Sequence, residues 1–120
     1  MKAANTTDGW NSIIASVPYA CKALSGGSLL AWEYGNEPDL YKYTWTGDQY
    51  IGEWLNGTRA INSGVKKACP DLPSDPDYGF IGPSFSSTGT RLNTADLINP
   101  GLNTDKDLKL ISNHLYVIIY

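Results

Sequence analysis

Apolar side chains recur at helical spacing over residues 9–25, at Trp10, Ile13, Ile14, Val17, Tyr19, Ala20, Ala23 and Leu24, and predict a first helix. Pro18 predicts a kink or restart within it, and Gly26-Gly27 a stop. Leu29-Leu30-Ala31-Trp32-Glu33-Tyr34 is short and almost continuously apolar, the pattern of a strand covered on both faces in a parallel sheet. Residues 47–69 carry the clearest helical signal, with Ile51, Trp54, Leu55, Ile61, Val65 and Ala68 on one face. Thr46 and Gln49 have capping-box spacing, and Trp45 and Tyr50 sit where a hydrophobic staple belongs. Lys66 and Lys67 suit the C-terminal end of the helix dipole, and Pro70 ends the run. Gly52, Gly57 and Gly64 each weaken this helix by ~1 kcal/mol relative to Ala, so it needs a sheet to pack on.

A polar loop, Asp71 to Asp77, precedes Tyr78-Gly79-Phe80-Ile81-Gly82, which reads as a second strand running into Pro83-Ser84-Phe85. Short helical stretches are expected around Ala95–Ile98 and over Asp105–Leu108. Leu110 to Tyr116 is the third strand candidate. Helix, strand, helix, strand, helix, strand implies parallel crossovers and an α/β fold.

Composition narrows the function. Of the 120 residues 42% are hydrophobic and 18% charged, which is globular rather than disordered. Four Trp and eight Tyr suggest a core or a ligand cleft built on rings. Nine basic against twelve acidic side chains give a net charge of −3, a poor match to a nucleic-acid partner. No apolar run approaches the ~18 residues of a membrane span, and the first eight residues lack a signal-peptide core. Asn5-Thr6-Thr7 and Asn56-Gly57-Thr58 are glycosylation sequons that matter only on export. Cys21 and Cys69 are either two buried thiols or one disulfide. With one histidine there is no metal constellation, and no phosphate-cradling or dinucleotide motif implies a cofactor.

The chemistry concentrates in Trp32-Glu33-Tyr34-Gly35-Asn36-Glu37-Pro38-Asp39-Leu40-Tyr41. Glu37 falls where a buried strand gives way to a loop, the edge at which α/β sheets and barrels bind ligands. A carboxyl walled there by rings can be kept protonated as a general acid, and Asn36 can hydrogen-bond a sugar hydroxyl. Strand alternation would send Asn36 and Glu37 to opposite faces, so a shared site requires an irregularity near Gly35. The competing reading makes Asn-Glu-Pro a plain turn with Glu37 in solvent. Glu33, on the same strand face as Glu37, reads as a structural carboxylate paired with a cation. Ser84 or Phe85, following the second strand, could line the cleft, but filling space beneath a loop is the preferred reading.

The same ten residues closely resemble the acid/base strand of the family 79 glycoside hydrolases, the heparanase-like and fungal β-glucuronidases. The resemblance continues through Trp54-Leu55-Asn56-Gly57-Thr58-Arg59-Ala60-Ile61, Lys67-Ala68-Cys69-Pro70-Asp71, Tyr78-Gly79-Phe80 and Gly101-Leu102-Asn103-Thr104-Asp105-Lys106-Asp107. It implies a partial (β/α)₈ barrel over residues 1–120, strands four to six with a preceding helix. It also implies a retaining hydrolase of β-glucuronides or related uronic-acid glycosides, with Glu37 as general acid/base and Asn36 on the sugar's 2-hydroxyl. His114-Leu115-Tyr116 resembles the family's His-Asn-Tyr at the end of strand six, which implies that His114 and Tyr116 line the sugar subsite. Val117-Ile118-Ile119-Tyr120 departs from the family pattern, which implies that the family's frame ends near Leu115. The family's nucleophilic Glu lies on strand seven, so the resemblance implies a chain that lacks it and is inactive alone, taken from an extracellular enzyme.

A complete barrel of this kind runs to about 250 residues. Three strands leave two unpaired edges, and Leu115–Tyr120 is an apolar β-prone window. These features predict that the isolated chain neither folds stably nor hydrolyses glycosides. A non-catalytic carbohydrate-binding or interaction module, and a same-clan glycosidase with another sugar preference, are the alternatives; sugar affinity without turnover would mark the former.

Overall fold

A computed structural model describes residues 7–24, 26, 28–40, 45–74, 78–86 and 92–114. Helix α1 spans Thr7–Ala23, strand β1 Ala31–Glu33, helix α2 Gly47–Ala68 and strand β2 Gly79–Phe85. A short helix α3, Thr94–Leu97, passes into a π-turn over Ile98–Leu102 before strand β3, Leu108–Asn113. The three strands form one parallel sheet in the order β1-β2-β3. This is the α/β architecture expected from the alternation of elements.

Helix α2 forms where its capping pattern says it should. The Thr46 hydroxyl accepts the Gln49 N–H at 3.3 Å, and the Gln49 side chain accepts the Thr46 N–H at 3.0 Å. The Trp45 and Tyr50 rings meet edge-on at 6.3 Å, closing the staple. Its apolar face then packs on β2 through Trp54, which is fully buried and meets Phe80 edge-on at 6.3 Å. Tyr34 and Tyr50 flank the same indole. On its other side α2 carries α1, where Val17 lies against Gly64. Pro18 sits inside α1 without ending it. The close of α1 at Ala23 is followed by Gly26 at φ +81°, a conformation glycine adopts without steric cost.

Cys21 and Cys69 are joined, with Cα atoms 5.9 Å apart, tying α1 to the residue that caps α2. This resolves the open alternative for the two cysteines. It also adds a stabilising element that the expectation of an unstable chain took no account of.

Several elements depart from the sequence reading. Strand β1 is three residues long and is not covered on both faces, since Leu30 is 62% exposed and Glu33 is exposed as well. The helices cover one side of the sheet and leave the other open. Strand β3 is covered only at its start, where Leu108 packs on the core; its consecutive Leu110 and Ile111, on opposite faces, are 60% and 55% exposed. Strand β2 continues three residues beyond Gly82, through Pro83, Ser84 and Phe85. The helix expected over 105–108 is a turn. Lys106 takes φ +58°, which halts helical propagation, and the Asn103 side chain accepts the Leu108 N–H at 3.1 Å to launch β3. The Asn56 sequon lies in the middle of α2. Its Thr58 is fully buried, with the hydroxyl donating to the Leu55 carbonyl. Asn5 and the 115–120 segment lie outside the described residues.

Candidate active site

The end of β1 hands the chain to a loop that breaks strand alternation twice. Gly35 has φ +99° and Glu37 φ +49°, so the irregularity that the sequence required near Gly35 is present. Pro38 then buries itself and opens a single 3₁₀ turn, closed by the Leu40 N–H on the Glu37 carbonyl at 3.0 Å. The root of the loop is pinned by Tyr34, whose ring stands edge-on to Trp54 at 5.8 Å and lies over Gly57 of α2. The Tyr34 hydroxyl donates to Glu53 at 3.4 Å; burial pushes the Glu53 carboxyl up, and that hydrogen bond opposes the shift.

Glu37 is held at the C-terminal edge of the sheet. Its N–H donates to the Ser84 carbonyl at 2.9 Å, and its Oε1 lies 2.7 Å from His114 Nδ1. The carboxyl is 18% exposed and the imidazole 33%, so both are sheltered yet reachable. His114 follows β3 and donates its own N–H to the Phe85 carbonyl at 2.7 Å, extending the β2–β3 ladder by one rung. A carboxyl and an imidazole in this contact can exchange a proton along one hydrogen bond. The plain-turn reading, with Glu37 in open solvent, is not what the geometry shows. Asn36 is exposed in the same loop, one residue before Glu37. Tyr116 lies outside the described residues.

Beneath this pair a polar rung crosses all three strands on the open face. The Ser84 hydroxyl donates to Glu33 Oε1 at 2.5 Å, the Ser112 hydroxyl approaches the same oxygen at 3.2 Å, and the two hydroxyls are 2.7 Å apart. Glu33 is thus structural, as its position suggests, but its partners are hydroxyls rather than a cation. Ser84 is fully buried at φ +58°, so its role exceeds filling space: its carbonyl accepts the Glu37 N–H and its hydroxyl donates to Glu33. Phe85 turns the other way, into the core against Tyr50. Asp39 and Ser86 were not singled out by sequence. Asp39 Oδ1 accepts the Ser86 N–H at 2.9 Å and Oδ2 accepts the Ser86 hydroxyl at 2.6 Å. The only local signal for that pairing is an acidic residue two places beyond Glu37, opposite the serine that follows β2.

A cleft of about 830 Å³ lies at the opposite end of the sheet, between α1 and the end of α2, around Cys21, Leu29 and Leu72. It is remote from Glu37 by topology, because it adjoins the segments that enter β1 and β2 rather than those that leave them. A second network, on the outer side of α2, joins Arg59 to Asp105 and Asn62 to both Asp107 and Tyr78. The Arg59 hydrogen bonds hold the Asp105 carboxyl below its usual range, while burial pushes Asp107 up and Tyr78 up to about 12.

The chain is similar to two curated β-glucuronidases. One, from Neurospora crassa (strain ATCC 24698 / 74-OR23-1A / CBS 708.71 / DSM 1257 / FGSC 987), is 43% identical over 122 aligned residues. The other, from Aspergillus niger (strain ATCC MYA-4892 / CBS 513.88 / FGSC A1513), is 38% identical over 122 residues. Each match covers 94% of this chain and 22% of the relative, so the chain spans about a fifth of the length of the curated relatives it matches. No protein-family model matches the chain. No solved structure matches it.

Proposed function

We propose that residues 1–120 form part of the catalytic (β/α)₈ barrel of a retaining β-glucuronidase of the family 79 type, contributing its strands four to six. Three parallel strands with helices on one side and an open second face are compatible with a barrel wall, the open face being the one that would line the interior. Glu37 is the general acid/base of this reading. Its proton goes to the glycosidic oxygen as the bond to the leaving group breaks, while a second carboxylate attacks the anomeric carbon and forms a glycosyl-enzyme. Glu37 then removes a proton from the water that hydrolyses that intermediate. His114 orients Glu37 and faces the sugar subsite, Asn36 engages the 2-hydroxyl, and Tyr116 is assigned to the subsite by its sequence resemblance alone. The second carboxylate comes from the part of the relatives' length that this chain does not span. Two-carboxylate chemistry of this kind uses no metal or cofactor. The Cys21–Cys69 cross-link supports an oxidising compartment, and hence an exported parent enzyme.

The observation that carries the reading is the sheltered Glu37 carboxyl against His114 at the C-terminal edge of a parallel sheet. The 43% identity to the Neurospora crassa β-glucuronidase supports the choice of sugar. The test is a chimera of that enzyme in which the aligned part of this chain replaces its counterpart. Hydrolysis of an aryl β-glucuronide by the chimera, lost on Glu37→Gln, supports the proposal. A folded chimera that binds glucuronate but shows turnover indifferent to Glu37→Gln refutes it.

A further inference from the structure

Glu37 occupies a backbone conformation that a non-glycine residue adopts only under restraint, with φ +49°. The restraint does not come from strand pairing. Strand β1 is three residues long, and the next rung beyond it, from the Tyr34 N–H to the Ile81 carbonyl, is stretched to 3.4 Å. Among the described residues, two hydrogen-bonded attachments tie the loop to the end of β2. One is the Glu37 N–H on the Ser84 carbonyl at 2.9 Å, and the other is the Asp39 carboxylate, which takes both the N–H and the hydroxyl of Ser86. His114 hangs from the residue between those two serines, through its N–H on the Phe85 carbonyl at 2.7 Å. Ser84, Phe85 and Ser86 therefore serve as a common template, with the Glu37 loop on one side and His114 on the other.

We propose that Asp39 is a positioning residue: its two-oxygen clamp on Ser86 fixes the loop on β2 so that the Glu37 carboxyl meets the His114 imidazole. A carboxylate accepting a backbone N–H and a hydroxyl together defines direction as well as distance, which a single hydrogen bond does not. Glu37 itself supplies one main-chain hydrogen bond to this attachment, and the clamp lies two residues further along, across the 3₁₀ turn that Pro38 begins. Losing the clamp removes one of the attachments that hold the strained Glu37 conformation against β2. The carboxyl is then free to leave the imidazole while the rest of the core stays packed. The catalytic meaning of this clamp rests on the acid/base reading of Glu37, but the geometry it asserts does not.

His114 is the one histidine of the chain, so its imidazole gives a single set of signals in a long-range ¹H–¹⁵N correlation spectrum of the untagged, oxidised 120-residue protein. Glu37→Ala marks where those signals lie without the carboxyl. The expected result is that Asp39→Ala moves them at least halfway to that position. Ser86→Ala, which keeps one of the two bonds, moves them part of the way. Asp39→Asn, whose amide oxygen still accepts the Ser86 N–H, leaves them near the parent position. The proposal is overturned if Asp39→Ala leaves the imidazole signals unmoved, for the clamp is then only a structural tie. It is equally overturned if the parent protein and Glu37→Ala give the same spectrum. Should Asp39→Ala unfold, Ser86→Ala and Asp39→Asn decide: signals moved by the first and kept by the second support the clamp, and any other pair of results overturns it. No substrate enters the experiment, so failure of the glycosidase reading in the chimera would leave this result standing, and the reverse holds too.

Discussion

Beyond its first residue, Gly47, α2 holds three glycines, and sequence propensity treats them alike: each should stabilise the protein by about 1 kcal/mol when replaced by alanine. The structure separates them. A methyl group at Gly52 meets nothing within 4 Å, so Gly52→Ala should realise the full helix-propensity gain. At Gly64 it would lie 3.3 Å from Val17 Cγ1, tight against the core of the α1–α2 contact, which should cancel most of the gain. At Gly57 it would overlap the Tyr34 ring, meeting Cζ, the hydroxyl and Cε1 together. Tyr34 is 8% exposed and already edge-on to Trp54, so it has little room to retreat. Overpacking of this kind costs about 1–3 kcal/mol, and set against the propensity gain it leaves Gly57→Ala about 0–2 kcal/mol less stable than the parent, against a gain of about 1 kcal/mol for Gly52→Ala. Urea unfolding of the oxidised chain, followed by tryptophan fluorescence, reads all three variants. In a Tyr34→Ala background the overlap disappears, and Gly57→Ala should turn stabilising. A Gly57→Ala protein as stable as Gly52→Ala would refute the placement of Tyr34 on α2, and with it the anchoring of the loop that carries Glu37.

The Cys21–Cys69 cross-link closes a sequence separation of 48 residues, for which the chain-entropy relation gives about 4 kcal/mol. Replacing both cysteines by serine should therefore remove most of the stability of the 120-residue chain, whereas an unchanged urea midpoint would mean that the sulfurs are not joined. Burial holds the Tyr78 hydroxyl up to about 12 against an ordinary value of 10.0, so the folded state favours its neutral form. That contribution is present in full below pH 10 and is lost as pH rises from 10 towards 12. Tyr78→Phe should flatten stability over this interval and lower it by about 1 kcal/mol at neutral pH, where the hydrogen bond to Asn62 is lost; an unaltered alkaline slope would contradict the burial argument.

Local rules were enough wherever a feature is made by residues close in sequence. The Thr46–Gln49 box, the Trp45–Tyr50 staple and the stop before Pro70 were legible because each rests on spacings of a turn or two. The position of Glu37 at a strand end was legible for the same reason. What sequence did not yield depends on register across the sheet. The second strand reads over 78–82, running into Pro83-Ser84-Phe85, yet β2 includes those three residues, with Pro83 set opposite Ser112 and a register shift beyond. Ser84 looked like filler because its partners, Glu33 and Ser112, lie on two other strands, 51 and 28 residues away. The Asp39 clamp on Ser86 spans 47 residues and carries no periodic signature at all. Gly57 illustrates the same limit from the other side: helix propensity assigns it a cost, whereas its lack of a side chain makes room for Tyr34.

The central claim is that Glu37 delivers a proton to the departing glycosidic oxygen, and leaving-group dependence tests it most directly. In the Neurospora crassa chimera, kcat/KM should be measured before and after Glu37→Gln with two β-glucuronides, one releasing an alkanol and the other an acidic nitrophenol. An alkoxide needs protonation in order to leave, so the first substrate should lose about 10²- to 10⁴-fold. A nitrophenolate departs without help, so the second should lose far less in kcat/KM, which reports the step that breaks the glycosidic bond. Equal losses on both substrates, or none on either, would contradict the assignment of Glu37 as the general acid.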